Sequence, residues 1–315
     1  MLHRLITFAA PPEAPAGVAG PLAALRLPGL SRWLTGAREI ERDEGDEASL
    51  SPPHERALAR AWGWRGADGG LPFAAHAAAA DGIAVAHHAW ARLTPAHWAV
   101  GAHGIRMLDP ATLALSEPEA RALFAAVEPL FTSEGVRLAW GAPGRWYAAH
   151  EAFSDLPCAS VDRAAGDSVD RWLQGPRAPR LIQRLLHEAQ MVLHAHPLTA
   201  AREAQGLPPV NAVWIDGCGV AQPVQDAAAS PRLDDRLRRP AMAQDSEGWA
   251  RAFAALDAEF AAALDAPSAR AAMAVERLTL CGARTALSFE RTMTAAPWWA
   301  RWRRAPDPGP LLESL

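Results

Sequence analysis

The stretch from Arg180 to Gly219, RLIQRLLHEAQMVLHAHPLTAAREAQGLPPVNAVWIDGCG, restricts the fold more than any other part of the chain. After Pro179, the residues Ile182, Leu185, Leu186, Ala189 and Leu193 recur at helical spacing and define one apolar stripe. His187, Met191 and His194 fall on another face of the same helix. A polar turn region follows. Val210 to Ile215 is then apolar except for Asn211 and carries β-branched side chains at Val210, Val213 and Ile215, which predicts a central strand. The strand is expected to deliver its end into a glycine-flanked loop, Gly217-Cys218-Gly219. A strand end and its loop expose backbone donors beside fixed side chains, so this order of elements commonly builds small-molecule sites.

The 315 residues suffice for one large domain or two of ordinary size. All 31 basic residues are arginine, which favours planar bidentate contacts to carboxylates and phosphates and excludes Schiff-base chemistry on a lysine. The net charge of −4 argues against a nucleic-acid binder, whose footprint is basic. The three cysteines, Cys158, Cys218 and Cys281, are odd in number and widely spaced in sequence. They indicate neither a disulfide framework nor a CxxC metal site, and predict a reduced, cytoplasmic protein. The run after Met1 is interrupted and followed by prolines, so it reads as a first strand, Leu2 to Phe8, and not as a signal peptide. No apolar run is long enough to span a bilayer.

The rest of the chain predicts an α+β fold, with mixed or antiparallel sheets packed with helices on the faces. Pro11 to Gly29 reads as a loop leading into a short element at Leu30 to Leu34, and the acidic run Glu39 to Glu47 as a solvated surface segment. Helices are expected at His54 to Trp62 with Ser51 as cap, Glu117 to Phe131 with Ser116 as cap, Asp167 to Leu173, and Trp249 to Leu264. An alanine-rich stretch from Ala74 is broken by a turn at Asp81-Gly82. Short strands are expected between His87 and Asp109, a hairpin at Val136 to Ala149, and two strands about Gly282. Gln222 to Pro240 reads as a linker, and Trp298 to Arg304 as a short terminal helix. The resulting division is an N-terminal region 1–80, a core 81–228 and a C-terminal part 229–315.

Motifs that would fix a reaction are missing. His187-Glu188 suggests the HExxH zinc motif, but Met191 occupies the place of its second histidine. His194 and His196 are two apart and bring no third ligand by spacing, so no metal is expected. There is no GxSxG elbow, GxGxxG fingerprint or P-loop. Cys218 between glycines is either an exposed nucleophile or, more commonly for such a residue, a buried inert thiol. Asp216, at the end of an apolar strand, is costly to bury unless paired, so it is either solvent-facing in a loop or held by an arginine such as Arg202.

Several of these residues carry a resemblance. Leu193-His194-Ala195-His196-Pro197, then Arg202, Gly206, Pro208-Pro209-Val210-Asn211-Ala212 and Trp214-Ile215-Asp216-Gly217-Cys218-Gly219, resemble a segment of archaeal-type cofactor-independent phosphoglycerate mutases and of a related bacterial group, the RpfE-type regulatory proteins. The bacterial group is the closer, because its WY pair and its helix ending in "L.E.QM.LH" are matched by Trp146-Tyr147 and by Leu186 to His194. The resemblance runs from the Trp90 region to Gly219, with a weaker echo in the terminal tryptophans. Thr199 replaces the usual Asn of the HPVN motif, and Asp216 stands where the family often has tryptophan. An early Asp-Gly metal motif, a nucleophilic serine motif and a late aspartate-histidine cluster, which the mutases use to hold two metal ions, are not found.

The resemblance therefore implies a mutase-like protein without the metal-dependent apparatus, acting as a regulatory or ligand- or partner-binding protein. An active mutase or phosphatase with a rearranged site, and a purely structural module, are the alternatives. The expected partner is a small phosphorylated or carboxylate ligand or another protein, with no cofactor, no nucleic acid and no membrane. The candidate ligand residues are His196, Arg202, Asn211, Asp216, Gly217 and Gly219, and no catalytic residue is assigned. Arg202 would hold an anionic group, with Asn211 and the loop amides adding donors.

Overall fold

The computed structural model of the protein describes residues 2–13, 20–23, 25–102, 104–173, 178–265, 275–291 and 306–315. In chain order the first half forms β1 (Leu2–Ile6), α1 (Pro28–Thr35), β2 (Ala37–Glu44), α2 (Pro53–Ala61), α3 (Phe73–Ala80), β3 (Ala89–Ala96), β4 (Trp98–Gly101), β5 (Gly104–Met107), α4 (Glu117–Thr132), β6 (Arg137–Ala142) and β7 (Arg145–Ala149). The second half forms α5 (Val161–Ala164), α6 (Val169–Leu173), α7 (Arg180–Ala195), α8 (Pro197–Ala204), β8 (Ala212–Val220), β9 (Arg232–Asp234), α9 (Arg238–Met242), α10 (Ser246–Asp265), β10 (Val275–Cys281), β11 (Thr285–Arg291) and α11 (Pro308–Glu313). Mixed and antiparallel sheets with helices on their faces make this an α+β protein, as the patterning predicts.

The chain divides into two compact units. The first comprises Met1–Ala48, Pro52–Gly63 and Val224–Leu315. Its sheet runs β2-β11-β10-β1-β9, with β1 parallel to β10 and β9 and the remaining pairs antiparallel. Neighbouring strand residues point to opposite faces. Ile6, Leu278, Leu280 and Leu287 accordingly pack with Leu30 and Trp33 of α1 and with Trp249, Phe253 and Phe260 of α10, whereas Leu5, Cys281 and Ala286 pack with Ala57 of α2. Helices α1 and α10 approach so closely that a Cβ on Gly29 would lie 2.2 Å from the Asp257 carbonyl oxygen. The buried Asp257 carboxylate accepts the free amides of Gly29 (3.0 Å) and Leu30 (2.7 Å) in the first turn of α1, where the helix dipole also favours an anion.

Two readings change in this unit. The acidic run Glu39 to Glu47 is largely a strand, β2, paired with β11; its charged side chains suit a sheet edge and bond Arg56, Arg60 and Arg277. The presumed linker Gln222 to Pro240 contains β9, whose Asp234 is gripped by Arg4 and Arg236. Burial opposes ionisation of Asp234, but the hydrogen bonds from Arg236 and Arg4 prevail and hold its carboxyl well below the usual range. The expected helix at Trp298 to Arg304 lies outside the described residues, while α11 was not anticipated.

The second unit comprises Ser49–Ser51 and Trp64–Pro223. Its antiparallel sheet has the order β6-β7-β3-β8, and β4 and β5 form a separate hairpin. One face packs Leu93, Trp146, Val213 and Ile215 against Leu123, Val127 and Phe131 of α4 and Ile182, Leu185, Ala189 and Leu193 of α7. This is the predicted apolar stripe. The other face places Trp90 and Tyr147 against Ala74, Ala75 and Ala78 of α3. Ser51 does not cap a helix; its hydroxyl accepts the Gly69 amide at 2.8 Å.

Candidate functional site

Strand β8 is an edge strand, not the central one expected from its apolar sequence. Its open side is covered by the segment leading into α5: the Trp214 indole donates to the Ala159 carbonyl (2.9 Å), and the Val161 amide donates to Asp216 (2.7 Å). Covering a sheet edge in this way removes the need for polar residues along it. The strand also does not end at Ile215. It continues through Gly217-Cys218-Gly219, which form a bulge: between the pairs Trp90 with Gly219 and Arg92 with Asp216, two residues of β8 face the single residue Ala91. Gly217 has φ +63°, a left-handed conformation that side chains resist. A Cβ there would meet the Ala74 amide nitrogen at 2.8 Å. The glycines thus serve a bulge and the close seating of alanine-rich α3, and the expected loop of ligand-facing amides is replaced by paired strand.

The polar candidates are engaged within the fold, each with its own partners. Arg202, on α8, is 1% exposed. Its Nε donates to the Pro208 carbonyl (3.0 Å), Nη1 to Glu119 (2.9 Å) and Nη2 to the Leu113 carbonyl. Hydrogen bonds from Ser116, and then that from Arg202, hold the Glu119 carboxyl below its ordinary range. Asn211 acts as a backbone mimic: its Oδ1 accepts the Trp98 amide (2.8 Å) and its Nδ2 donates to the Trp98 carbonyl (3.0 Å). Asp216 is indeed buried and paired, but its arginine is Arg92, not Arg202. Arg92 donates from Nε to Oδ1 (2.7 Å) and from Nη2 to Oδ2 (2.5 Å). The register explains the choice, since Arg92 lies directly opposite Asp216 on β3. His196 starts α8, its Nδ1 accepting the Leu198 amide at 3.2 Å. No two of Arg202, Asn211 and Asp216 share one of these partners.

What lies open beside this segment is a cavity of about 390 Å³ between α6, α7 and the covered side of β8. Its walls are Trp172 and Leu173 of α6, Ile182 and Leu186 of α7, Val213, Trp214 and Ile215 of β8, Trp98, and the stretch Leu156 to Ala159. Gln183, His187 and Gln190, on one side of α7, supply its polar side chains. The size falls within the range of small-molecule sites, which are mostly apolar with a few convergent polar groups. Trp98 and Trp214 meet edge to face, with ring centroids 6.4 Å apart. The Trp98 indole N–H is buried and has no hydrogen-bond partner among the described residues. A buried donor without an acceptor is costly. His187 was seen in the sequence only as a failed zinc ligand; its one-turn spacing from Gln183 and Gln190 was the available signal.

Cys218 is buried, and hydrogen bonding to Cys158 together with burial pushes its thiol well above the ordinary range, so the inert reading of that thiol toward external electrophiles stands. Sequence reasoning also missed a cluster at the end of α3, where Asp81 accepts two hydrogen bonds from Arg145 (2.8 and 2.7 Å) and one from the hydroxyl of Tyr147 (2.7 Å). Burial, and then the Asp81 hydrogen bond, push the Tyr147 hydroxyl up. The turn signal at Asp81-Gly82 concealed this role. Among the described residues, no group of three or more His, Cys, Asp or Glu is placed to hold a metal ion, and no helix is long and apolar enough to cross a membrane.

No protein-family model matches the chain, and no curated protein matches it in sequence. Among solved structures, the chain is similar to the PH0037 protein of Pyrococcus horikoshii, with 13% identity over 92% of this chain and 88% of that one and a TM-score of 0.46. It is also similar to the cofactor-independent phosphoglycerate mutase of Thermoplasma acidophilum, with 13% identity over 93% of this chain and 90% of that one and a TM-score of 0.36.

Proposed function

We propose that this chain is a mutase-like binding protein of regulatory type, without metal-dependent catalysis, and that its ligand is a small, largely apolar molecule bearing a carboxylate or similar acceptor. The observation that carries the reading is the cavity beside α7 and β8. It has three indoles and several aliphatic side chains for an apolar body, and Gln183, His187 and Gln190 for an acceptor group. The same segment's arginine, asparagine and aspartate are already bonded inside the fold, which moves the proposed site off the mutase-like signature and onto its neighbour.

The test uses the tryptophans themselves. Titrating the protein with medium-chain and aromatic carboxylic acids, with 3-phosphoglycerate as comparator, should give saturable changes in intrinsic fluorescence for the apolar acids. Leu186→Trp, which fills the cavity from its half-buried wall, should abolish the response while leaving the circular dichroism spectrum unchanged. Saturation that survives Leu186→Trp, or no response to any acid, rejects the cavity as the site. Metal-dependent turnover of 3-phosphoglycerate by the purified protein would instead establish the rearranged-enzyme alternative.

A further inference from the structure

The sequence keeps Cys158 and Cys218 far apart, yet the fold brings their sulfurs to 3.6 Å. The approach is built from both sides. Cys218 is held in the bulge of β8, whose glycines let α3 press on the strand. Cys158 sits in the segment that covers β8, fixed on one flank by its amide hydrogen bond to the Gly69 carbonyl (3.0 Å) and on the other by the bond from the Trp214 indole to Ala159. Gly69 has φ +76°, and a Cβ there would lie 2.9 Å from both the nitrogen and the oxygen of Cys158, so the backbones touch at a point only glycine allows. The two thiols also differ in access. Cys158 is partly exposed and lines the cavity, whereas Cys218 is buried behind it. Cys281, in the other unit, is buried as well, its thiol pushed up by burial.

From this arrangement we infer that Cys158 and Cys218 form a peroxide-sensitive thiol pair, in which Cys158 reacts first and Cys218 resolves it to an intramolecular disulfide. The Cys158 thiolate, having released its proton to solvent, attacks one oxygen of hydrogen peroxide. A sulfur–oxygen bond forms, the oxygen–oxygen bond breaks, and hydroxide departs to leave a sulfenic acid. The Cys218 sulfur then attacks the Cys158 sulfur, forming the disulfide and breaking the sulfur–oxygen bond. The departing hydroxyl takes up the Cys218 proton and leaves as water, and the hydroxide of the first step becomes water with the proton that Cys158 released. Two thiols lose two electrons in all, and one peroxide becomes two waters. The gap of 3.6 Å must close to the length of a disulfide, about 2.05 Å. The high proton affinity of the buried Cys218 thiol keeps it from reacting with a dissolved oxidant, and its place 3.6 Å from Cys158 brings it to the adjacent sulfenic acid. The product would tie a wall of the cavity covalently to β8. This inference needs no ligand and stands or falls separately from the ligand reading.

The experiment is thiol counting with peptide mapping on the full chain. The reduced protein, denatured and alkylated, should carry three labels. After treatment with a slight excess of hydrogen peroxide and removal of the oxidant, it should carry one label, on Cys281. Cleavage after arginine should release the 146–163 peptide joined to the 203–232 peptide, two hydrogens lighter than the sum of the separate peptides, and a dithiol reductant should restore three labels. Cys218→Ser should stop the sequence at a Cys158 sulfenic acid that dimedone traps, and Cys281→Ser should form the bridge as the parent does. Three labels after a peroxide dose that oxidises free cysteine, or Cys158 oxidised to sulfinic acid with Cys218 still labelled, would overturn the proposal. The parent measurement alone decides between these outcomes, so the result does not depend on a variant folding.

Discussion

Arg202 offers the clearest separation between a residue that binds a ligand and one that holds the fold. Its side chain is 1% exposed, and all three guanidinium nitrogens donate, to Pro208, Glu119 and Leu113. Hydrogen bonds from a charged group are worth about 1.5–3 kcal/mol each when a partner is removed. Glu119 is partly exposed and keeps its bonds from Ser116, so it regains water cheaply; the two carbonyls do not. Arg202→Ala should therefore destabilise the second unit by about 4 kcal/mol, within the range for breaking a buried ionic contact. Arg202→Lys keeps the charge but loses the planar fork that reaches three acceptors, and should cost about 2 kcal/mol. Urea unfolding gives the magnitude. Hydrogen exchange at the Asn211 amide, which donates to the Ala96 carbonyl at 3.1 Å, gives the location. If Arg202 instead grips an anion, Lys would substitute well and Ala would lose ligand response with little loss of stability. A destabilisation below about 1 kcal/mol in Arg202→Ala would refute the structural assignment, since three bonds from a buried guanidinium cannot vanish so cheaply.

Two further outcomes test the reasoning elsewhere. His3 is buried, bonds the Thr279 hydroxyl at 2.8 Å, and has its pKa lowered to about 4 by burial and then by the charge of Arg277. The native state keeps His3 neutral while the unfolded chain protonates near its ordinary value. Its contribution to stability is therefore full above that value and is lost as pH falls from about 6.5 to about 4, by about 3 kcal/mol in all, and His3→Gln should flatten this part of the profile in a pH series of urea midpoints. The glycines make a matched pair: Gly82 (φ +80°) has open space at its Cβ position, whereas at Gly217 (φ +63°) the Cβ meets the Ala74 nitrogen at 2.8 Å. Gly82→Ala should cost about 1 kcal/mol, the conformational penalty alone, and Gly217→Ala at least about 3 kcal/mol, with equal losses in thermal melts counting against the bulge as the reason for that glycine.

Much of the local structure was legible because local physics fixes it. The stripe from Ile182 to Leu193 could only be a helix with one buried face, and Ser116 with Glu119 marked the start of α4. The β-branched residues before Asp216 announced a strand, and of the two places open to the carboxylate at its end, a solvent-facing loop or a buried pair with an arginine, the structure takes the second. Which arginine was decided by cross-strand register, which brings in Arg92 from a position far away in sequence. The same dependence explains the other revisions. An apolar strand can be central or an edge under cover, and only the packing of the segment from Leu156 to Val161 distinguishes them. A Gly-Cys-Gly triplet can be a loop or a bulge, according to whether a partner strand pairs through it. The sequence by itself determined the elements, the charge pattern and the absence of the familiar catalytic motifs, because these depend on composition and on neighbours a few residues away. Tertiary structure decided the partner of each polar side chain, the cavity lined by Trp98, Trp172 and Trp214, and the meeting of Cys158 with Cys218, because such contacts join residues from separate elements, and neither composition nor periodicity encodes where those elements cross.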